Sequence, residues 1–410
     1  MTFFFKNFLH LFIAGLACIY YRFPARQILV IGVTGTSGKT TTAHLIYEIL
    51  KNAGKKVSLV STIEAVINNT SYDTGFHVTT PSPWALQKFI RKAVDGKSKY
   101  FVLEVTSHAL SQARVFGTSI DIGVVTNISH EHLDYHKTRE NYRMAKAKIL
   151  RGVKYSVINH DDSSFPFLVK KADGKVVTFA TDSEADYTQE KLNLKPSIPG
   201  KFNLQNCLAA AAVASILKID KDTIAKSITK FKGIAGRMEK IDAKRPFDIY
   251  IDFAHKPDAL KQALLTARDE TENKLIVIFG CAGLRDRLKR PMMGEIAAKL
   301  ADFTILTAED PRTEDVRDII GQIADGSLTA GAEEENKKDK NLTGLKKGKK
   351  YFWRIADRQE AINFALRNLA QKGDLILICG KGHEKSMCYG KTEYPWNEKQ
   401  AIQKAIYGKV

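Results

Sequence analysis

Val30 to Leu50 read VIGVTGTSGKTTTAHLIYEIL: an apolar run, a glycine-containing turn and a helix-patterned segment in direct succession. Gly35 and Gly38 let the backbone turn tightly and bring N–H groups up to phosphate oxygens at a helix N-terminus, where the helix dipole favours negative charge. Lys39 can reach outer phosphates, and the hydroxyl of Thr40 can ligate Mg²⁺. The stretch departs from G-x-x-x-x-G-K-[ST] at one place, because Val33 stands where the first glycine belongs. Val33 is then expected to be the last strand residue, with a loop shortened on its strand side. Placed after a strand and before a helix, the stretch reads as a nucleotide loop rather than a plain strand-turn-helix junction.

A loop that takes a magnesium nucleotide needs an acid on a neighbouring strand. Glu104 closes the apolar run in YFVLEVTSHAL, and a charge buried there is costly unless it is paired or bound to metal. Metal ligation fits that cost, and a salt-bridged structural glutamate is the alternative. Thr126 to Leu150, TNISHEHLDYHKTRENYRMAKAKIL, opens where another strand ends, at the sheet edge where ligands bind in α/β proteins. It carries His130, His132 and His136 within seven residues. One of them is expected as a ligand, and the residues alone do not choose which.

Apolar runs alternate with amphipathic stretches along the whole chain, the pattern of α/β layers around mainly parallel sheets. Strands are expected at Gln27 to Val33, Val57 to Val60, Tyr100 to Val105, Ile120 to Thr126, Tyr155 to Asn159 and Val176 to Ala180, with helices at Lys39 to Asn52 and Asn203 to Leu217. A second series follows, with strands Ile249 to Phe253, Lys274 to Gly280, Phe303 to Thr307 and Leu375 to Gly380. Its helices are expected near Pro291 to Leu300, Thr313 to Asp325 and Asp357 to Gln371. The break falls at Phe231 to Asp242, FKGIAGRMEKID. The expected division is an N-terminal apolar segment, residues 1–26, then a nucleotide-binding domain, 27–234, and a second α/β domain, 235–410. No internal repeat is evident.

A chain of 410 residues is too long for one ordinary core. Its 44% hydrophobic and 26% charged residues are those of a soluble globular protein. The formal charge of +18 admits nucleic acid, an anionic membrane surface or small polyanions as partners. Seven lysines fall in Lys337 to Lys350, a hydrophilic stretch read as a solvated loop, and the remaining basic excess shows no arginine-aromatic interleaving. Nucleic acid is therefore not expected as a partner. Five scattered cysteines without a C-x-x-C pair argue against disulfides and a zinc site and point to a reducing cytoplasm. Phe8 to Tyr21 is nearly continuous apolar sequence, shorter than the ~20 residues needed to span a bilayer. It is expected as a helix packed on the body of the protein, with peripheral membrane contact through residues 3–21 as the alternative.

The runs GTSGKTTT, EVTSHAL, TNISHEHLDYH followed by MAKAK, GKFNLQNCLAA, GRME, DFAHKPDAL, GCAGLRDRLKRP and GKGHEK occur here in one order. In that order and spacing they resemble the Mur ligases, above all the MurE type, which adds the third residue to the muramoyl dipeptide of the bacterial cell-wall precursor. The resemblance runs from about Ile28 to the C-terminus, and the short loop without the first Walker glycine is this family's form. It implies a central P-loop ATPase domain and a C-terminal Rossmann-like ligase domain. The implied chemistry uses ATP and Mg²⁺: a substrate carboxylate takes the γ-phosphate as an acyl phosphate, which the incoming amine then displaces.

Carried over by motif, Gly35, Thr36, Ser37, Gly38, Lys39, Thr40 and Thr41 would cradle the phosphates. Thr40 and Glu104 would hold one Mg²⁺, Glu104 and His132 a second, and a carbamylated Lys146 would face the metal. Asn206 resembles the adenine-side asparagine, and Arg237 and Asp252 the phosphate- and ribose-side contacts. Muramoyl-peptide contacts fall on Thr79, Thr80, Thr106, Ser107, Gln112 and Arg114, with Thr106 where the family more often has serine. The amino-acid site falls on Arg285, Glu309, Asp310, Arg312, Gly380 and Glu384. The run Glu309-Asp310-Pro311-Arg312 stands where D-N-P-R marks meso-diaminopimelate. Arg312 suits the second carboxylate of diaminopimelate, whereas Asp310 would favour an ammonium. Diaminopimelate is the expected substrate, with lysine or another diamine as the alternative.

Enzymes of this type carry an N-terminal domain for the UDP end of the substrate, and only residues 1–26 precede the first expected strand. UDP recognition is therefore in doubt, and a lipid-linked muramoyl peptide is a competing acceptor. A MurT-like ligase, a folylpolyglutamate synthase-like ligase and a nucleotide-binding regulator that does not ligate are the other readings. A monomer is expected.

Overall fold

The computed structural model describes residues 2–72, 79–129, 133–336 and 348–408, with the backbone alone for 2–9 and 133–134. The lysine-rich run at 337–347 lies outside them. The described chain divides into two compact units, Met1–Lys232 and Gly233–Val410.

In the first unit, strands β1 (Leu29–Thr34), β2 (Val57–Val60), β3 (Ala65–Ile67), β4 (Thr70–Tyr72), β5 (Tyr100–Glu104), β6 (Ile120–Val125), β7 (Tyr155–Asn159) and β8 (Lys175–Phe179) form one sheet in the order β4-β3-β2-β5-β1-β6-β7-β8. Its central ladders are parallel, and only the β2-β3-β4 meander runs antiparallel. Buried on both faces, the central strands are mostly apolar, which is why they read as runs rather than alternations. Helix α2 (Lys39–Asn52) follows β1 directly. β1 lies between β5 and β6, so its C-terminal end, where the loop begins, is flanked by the ends of both.

In the second unit, β9 (Glu239–Ile241), β10 (Asp248–Asp252), β11 (Leu275–Phe279), β12 (Phe303–Leu306), β13 (Glu333–Glu334), β14 (Tyr351–Arg354) and β15 (Leu375–Cys379) are ordered β13-β14-β12-β11-β15-β10-β9. All pairs are parallel except β10-β9. β16 (Ser386–Tyr389) and β17 (Thr392–Pro395) form a separate antiparallel hairpin.

Most expected strands are found within a residue or two. Strand β1 runs one residue past Val33, because Thr34 still pairs with Val125. It begins at Leu29 rather than Gln27, because Pro24–Gln27 form a 3₁₀ turn. The helix expected from Thr313 starts at Val316, where the Asp315 carboxylate accepts from the N–H of Arg317 and sets the cap. Unforeseen helices at Pro83–Asp95, Lys221–Lys230, Pro257–Asp269 and Glu398–Tyr407 each carry a start signal: a capping Ser82, Asp220 or Asn397, or Pro257 in the first turn.

Helix α1 (Thr2–Tyr20) packs on helix α3 (Pro83–Asp95), with Ala14, Ala17 and Cys18 fully buried. The Cys18 thiol donates to the Phe116 carbonyl at 3.3 Å. The expected packing on the body is therefore present along this face. Among the described residues no helix is long and apolar enough to cross a membrane.

Candidate active site

The loop after β1 is clamped by the end of β6. Thr36 and Ser37 donate their N–H groups to the Asn127 carbonyl and Oδ1, each at 2.9 Å, while the Thr126 hydroxyl donates to the Ser37 carbonyl at 2.6 Å. Ser129 N–H donates to the Thr36 hydroxyl at 3.0 Å. These bonds fix a turn that only glycine fits. A Cβ on Gly38, at φ 81°, would lie 2.1 Å from Asn206 Oδ1, and one on Gly35 would lie 1.8 Å from the Thr126 hydroxyl. Asn206 thus touches the loop through its missing side chain, and it accepts from the Thr42 hydroxyl at 3.3 Å. Thr41 is buried beside it in α2.

Two lysines converge on one carbonyl of this loop. Lys39 Nζ donates to Gly35 O at 2.9 Å and Thr36 O at 3.0 Å. Lys146, 2% exposed, comes from the helix Arg139–Ala147, donates to the same Gly35 O at 2.6 Å and lies 4.7 Å over the Tyr142 ring. Lys146 is therefore no surface residue of a helix.

Glu104, 1% exposed, ends β5 facing α2. Its Oε1 accepts from the Thr40 hydroxyl at 3.1 Å, and its Oε2 accepts from Thr62 N–H and hydroxyl, both at 2.9 Å. Among the described residues no cation pairs with it, so the salt-bridged alternative has no partner here. A carboxylate and a threonine hydroxyl side by side are oxygen donors of the kind a hard divalent cation takes. His130 and His132 lie outside the described residues. His136 is buried and engaged by the Ser107 hydroxyl at 3.1 Å, with Tyr142 and His108 against its ring.

The muramoyl-side residues gather at the same sheet edge. The Thr80 hydroxyl donates to Glu104 O at 3.2 Å and accepts from Thr106 N–H at 3.0 Å, while Arg114 reaches Thr80 O at 3.4 Å. Thr106 caps the short helix Ser107–Ser111, and Gln112 donates to the Tyr135 hydroxyl at 3.2 Å. The buried Gln112 Oε1 has no partner among the described residues. Thr79, beside Thr80, is half-buried.

In the second unit Asp252 ends β10, where it accepts from Met238 and Ala254 N–H, each at 2.7 Å. Burial raises its pKa, against the pull of Arg237 and those two N–H groups. Arg237 stacks 4.6 Å over Phe253. The turn carrying it packs onto the GKGHEK loop so closely that a Cβ on Gly236 would lie 2.3 Å from His383 N.

The amino-acid residues cluster beyond β12 and β15. Glu309 is 6% exposed, its Oε2 has no partner among the described residues, and burial pushes its pKa up to about 7. Gly380, at φ 109°, leaves room for it, since a Cβ there would lie 3.1 Å from Glu309 Cγ. Asp310 accepts from Lys381 Nζ at 2.8 Å and from Cys388 N–H at 2.9 Å. Lys381, with no exposed side chain, also pairs with Glu384 at 2.6 Å. Burial works against its ammonium, but Glu384 and Asp310 outweigh it and raise its pKa. The Asp310 charge is thus already matched by a buried cation, which removes the sequence-based reason to expect it to select an ammonium. Arg312 is fixed by backbone bonds to Cys388 O at 3.0 Å and from Gly390 N–H at 2.7 Å. Arg285 is exposed.

Sequence reasoning missed Lys381 and Arg358. Fully buried Arg358 pairs with Glu398 and donates to the carbonyls of Ala308 and Cys379, the residues just before Glu309 and Gly380. Neither burial is marked by local pattern, because Asp310 lies 71 residues from Lys381 and Glu398 lies 40 residues from Arg358.

Comparison with known proteins agrees with this geometry. Residues 33–214 match the Mur ligase middle domain and 236–382 the Mur ligase glutamate ligase domain. The UDP-N-acetylmuramoyl-L-alanyl-D-glutamate--2,6-diaminopimelate ligase of Bacillus velezensis is 34% identical over 414 residues, covering 94% of this chain and 80% of that protein. Its namesake in Clostridium botulinum is also 34% identical, over 407 residues, with 94% and 80% covered. A solved structure of a ligase of that name superposes with TM-score 0.61 at 30% identity, covering 92% of this chain and 78% of that one. The E. coli FolC structure, at 17% identity and TM-score 0.69, shares the fold. Phosphate loop, buried acid and two α/β units therefore place this chain in the Mur ligase family of ATP-dependent, C–N bond-forming ligases, alongside the MurE-type enzymes.

Proposed function

We propose that the protein joins a diamino acid, meso-diaminopimelate before lysine, to UDP-N-acetylmuramoyl-L-Ala-D-Glu in the cytoplasm, with ATP driving the reaction through an acyl phosphate. The observation that carries this reading is the meeting of Lys39, Thr40, Glu104 and Lys146 at one end of β1. Two anions, a carboxylate and a polyphosphate, must be brought together, so cations and oriented N–H groups supply most of the catalysis. The loop N–H groups and Lys39 hold the phosphates, and the Lys39 contacts to Gly35 and Thr36 carbonyls are those a bound phosphate would replace. Thr40 and Glu104 would hold one Mg²⁺, and Glu104 and His132 a second that would offset the repulsion between the two anions, with carbamylated Lys146 facing the metal. Carbamylation converts Lys146 from a cation into an anion able to face the metal.

Thr79, Thr80, Thr106, Ser107, Gln112 and Arg114 orient the muramoyl dipeptide, whose terminal carboxylate attacks the γ-phosphate. The Gln112 oxygen left without a partner is a ready acceptor for a peptide N–H. By motif, Asn206, Arg237 and Asp252 serve ATP. Arg312 and Arg285 serve the distal carboxylate of diaminopimelate, and Glu384 its ammonium. The test is phosphate release from ATP with purified protein, UDP-muramoyl-Ala-Glu and either diamino acid. Release that needs the acceptor and prefers diaminopimelate is expected. Preference for lysine overturns the amino-acid assignment, and turnover only with a lipid-linked acceptor overturns the nucleotide-linked one.

A further inference from the structure

Helix α1 has two unlike faces. Its inner face is seated tightly: Ala14, Ala17 and Cys18 are fully buried, and a Cβ on Gly117 would lie 2.3 Å from Cys18 Sγ. Its outer face carries Phe12, Leu16, Ile19 and Tyr20, spaced i, i+4, i+7 and i+8, so that they form one stripe. They are 57%, 43%, 64% and 70% exposed. The stripe continues into α3, where Trp84, 40% exposed, has its ring 5.4 Å from Tyr20 and 6.1 Å from Tyr21. Scattered apolar residues on a surface need no explanation, whereas a contiguous row that includes a tryptophan and tyrosines does. Tryptophan and tyrosine are the side chains that settle where hydrocarbon meets water.

Charge near the row is mainly positive. Residues 1–47, 79–94 and 105–120 contain no aspartate or glutamate, and Asp95, at the far end of α3 from Trp84, is paired with Arg91. Arg22, Arg26 and Lys88 are exposed there, with Lys88 one turn beyond Trp84 on α3. An apolar stripe flanked by exposed cations suits an anionic, apolar-cored partner. Because one face of α1 is seated on the protein and the other is apolar and exposed, the helix would lie in the interface plane.

We propose that the outer face of α1, with Trp84, docks on the anionic surface of a lipid bilayer. The docking is independent of the ligase chemistry and is measured without it. The full-length chain is sedimented with vesicles of equimolar phosphatidylglycerol and phosphatidylcholine and with vesicles of phosphatidylcholine alone. Binding to the anionic vesicles that weakens with salt is expected. The double variant Phe12→Glu, Ile19→Glu, in which both positions are exposed and glutamate is a good helix former, should bind about tenfold or more weakly while melting like the parent. Arg22→Gln and Lys88→Gln should each weaken binding about fivefold. Three results would overturn the proposal. One is absence of vesicle binding, and another is binding unchanged in the double variant. The third is a solution dimer that the double variant dissociates, which would assign the face to a second copy.

Discussion

At Glu104 a buried carboxylate is held by two threonines and a backbone amide; at Asp310 a buried carboxylate is held by a buried lysine. The first arrangement holds the carboxylate by hydroxyl and amide donors, with no cation paired to it among the described residues. The second spends the charge inside the fold, where it fixes the loop through Cys388 N–H. On the proposed function, one buried acid serves the ligand and the other serves the fold. Position in a motif does not distinguish them, whereas hydrogen-bond partners do.

Substitutions can break or sharpen this contrast. Glu104→Ala should cut kcat/KM for ATP-dependent turnover about a thousandfold, or ~4 kcal/mol, with little loss of stability beyond its three hydrogen bonds. A mainly structural effect, seen as a large fall in the urea midpoint with turnover retained by the folded fraction, would place Glu104 with Asp310. Lys381→Ala should do the opposite, costing ~3 kcal/mol or more of stability because Asp310 loses its buried cation. Chemical denaturation followed by circular dichroism reads this directly.

A third difference concerns pH. Glu309 has its pKa raised from 4.5 to about 7, so the folded state binds more protons than the unfolded state between those values. Stability should therefore fall as pH rises through that window, by ~3 kcal/mol at most, and Glu309→Gln should flatten the slope. Denaturation midpoints at pH 5 and pH 8 would show it.

Smaller effects fall on specificity. Arg312→Ala should reduce the preference for diaminopimelate over lysine about tenfold, measured as the ratio of kcat/KM values. Asp310→Asn should change that ratio by less than about threefold, since its oxygen can still accept from Cys388 N–H and Lys381. A switch to diaminopimelate-only or lysine-only use in Asp310→Asn would show that the residue faces substrate after all.

The same contrast explains what could be read from the chain alone. The phosphate-loop region is local: Gly35 to Thr41 act through backbone geometry set by residues a few positions apart, and Glu104 ends an apolar strand whose burial on both faces is plain in its composition. Lys146 was identifiable only through family resemblance, because a lysine in a polar helix shows nothing of its burial. In the second unit the decisive partners, Lys381 for Asp310 and Glu398 for Arg358, are separated by 71 and 40 residues. No pattern of spacing reports such pairs. Helices missed in the reading, such as Pro257–Asp269, had start signals in single residues that weigh little until the packing around them is known.

The central claim is that phosphate is spent on activating a carboxylate. UDP-muramoyl-Ala-Glu labelled with ¹⁸O in its terminal carboxylate tests it most directly, by mass analysis of the phosphate released during ligation to diaminopimelate. The account predicts one ¹⁸O atom in each phosphate, transferred as the acyl phosphate forms and is displaced. Phosphate without the label, carrying oxygen from water instead, would contradict it.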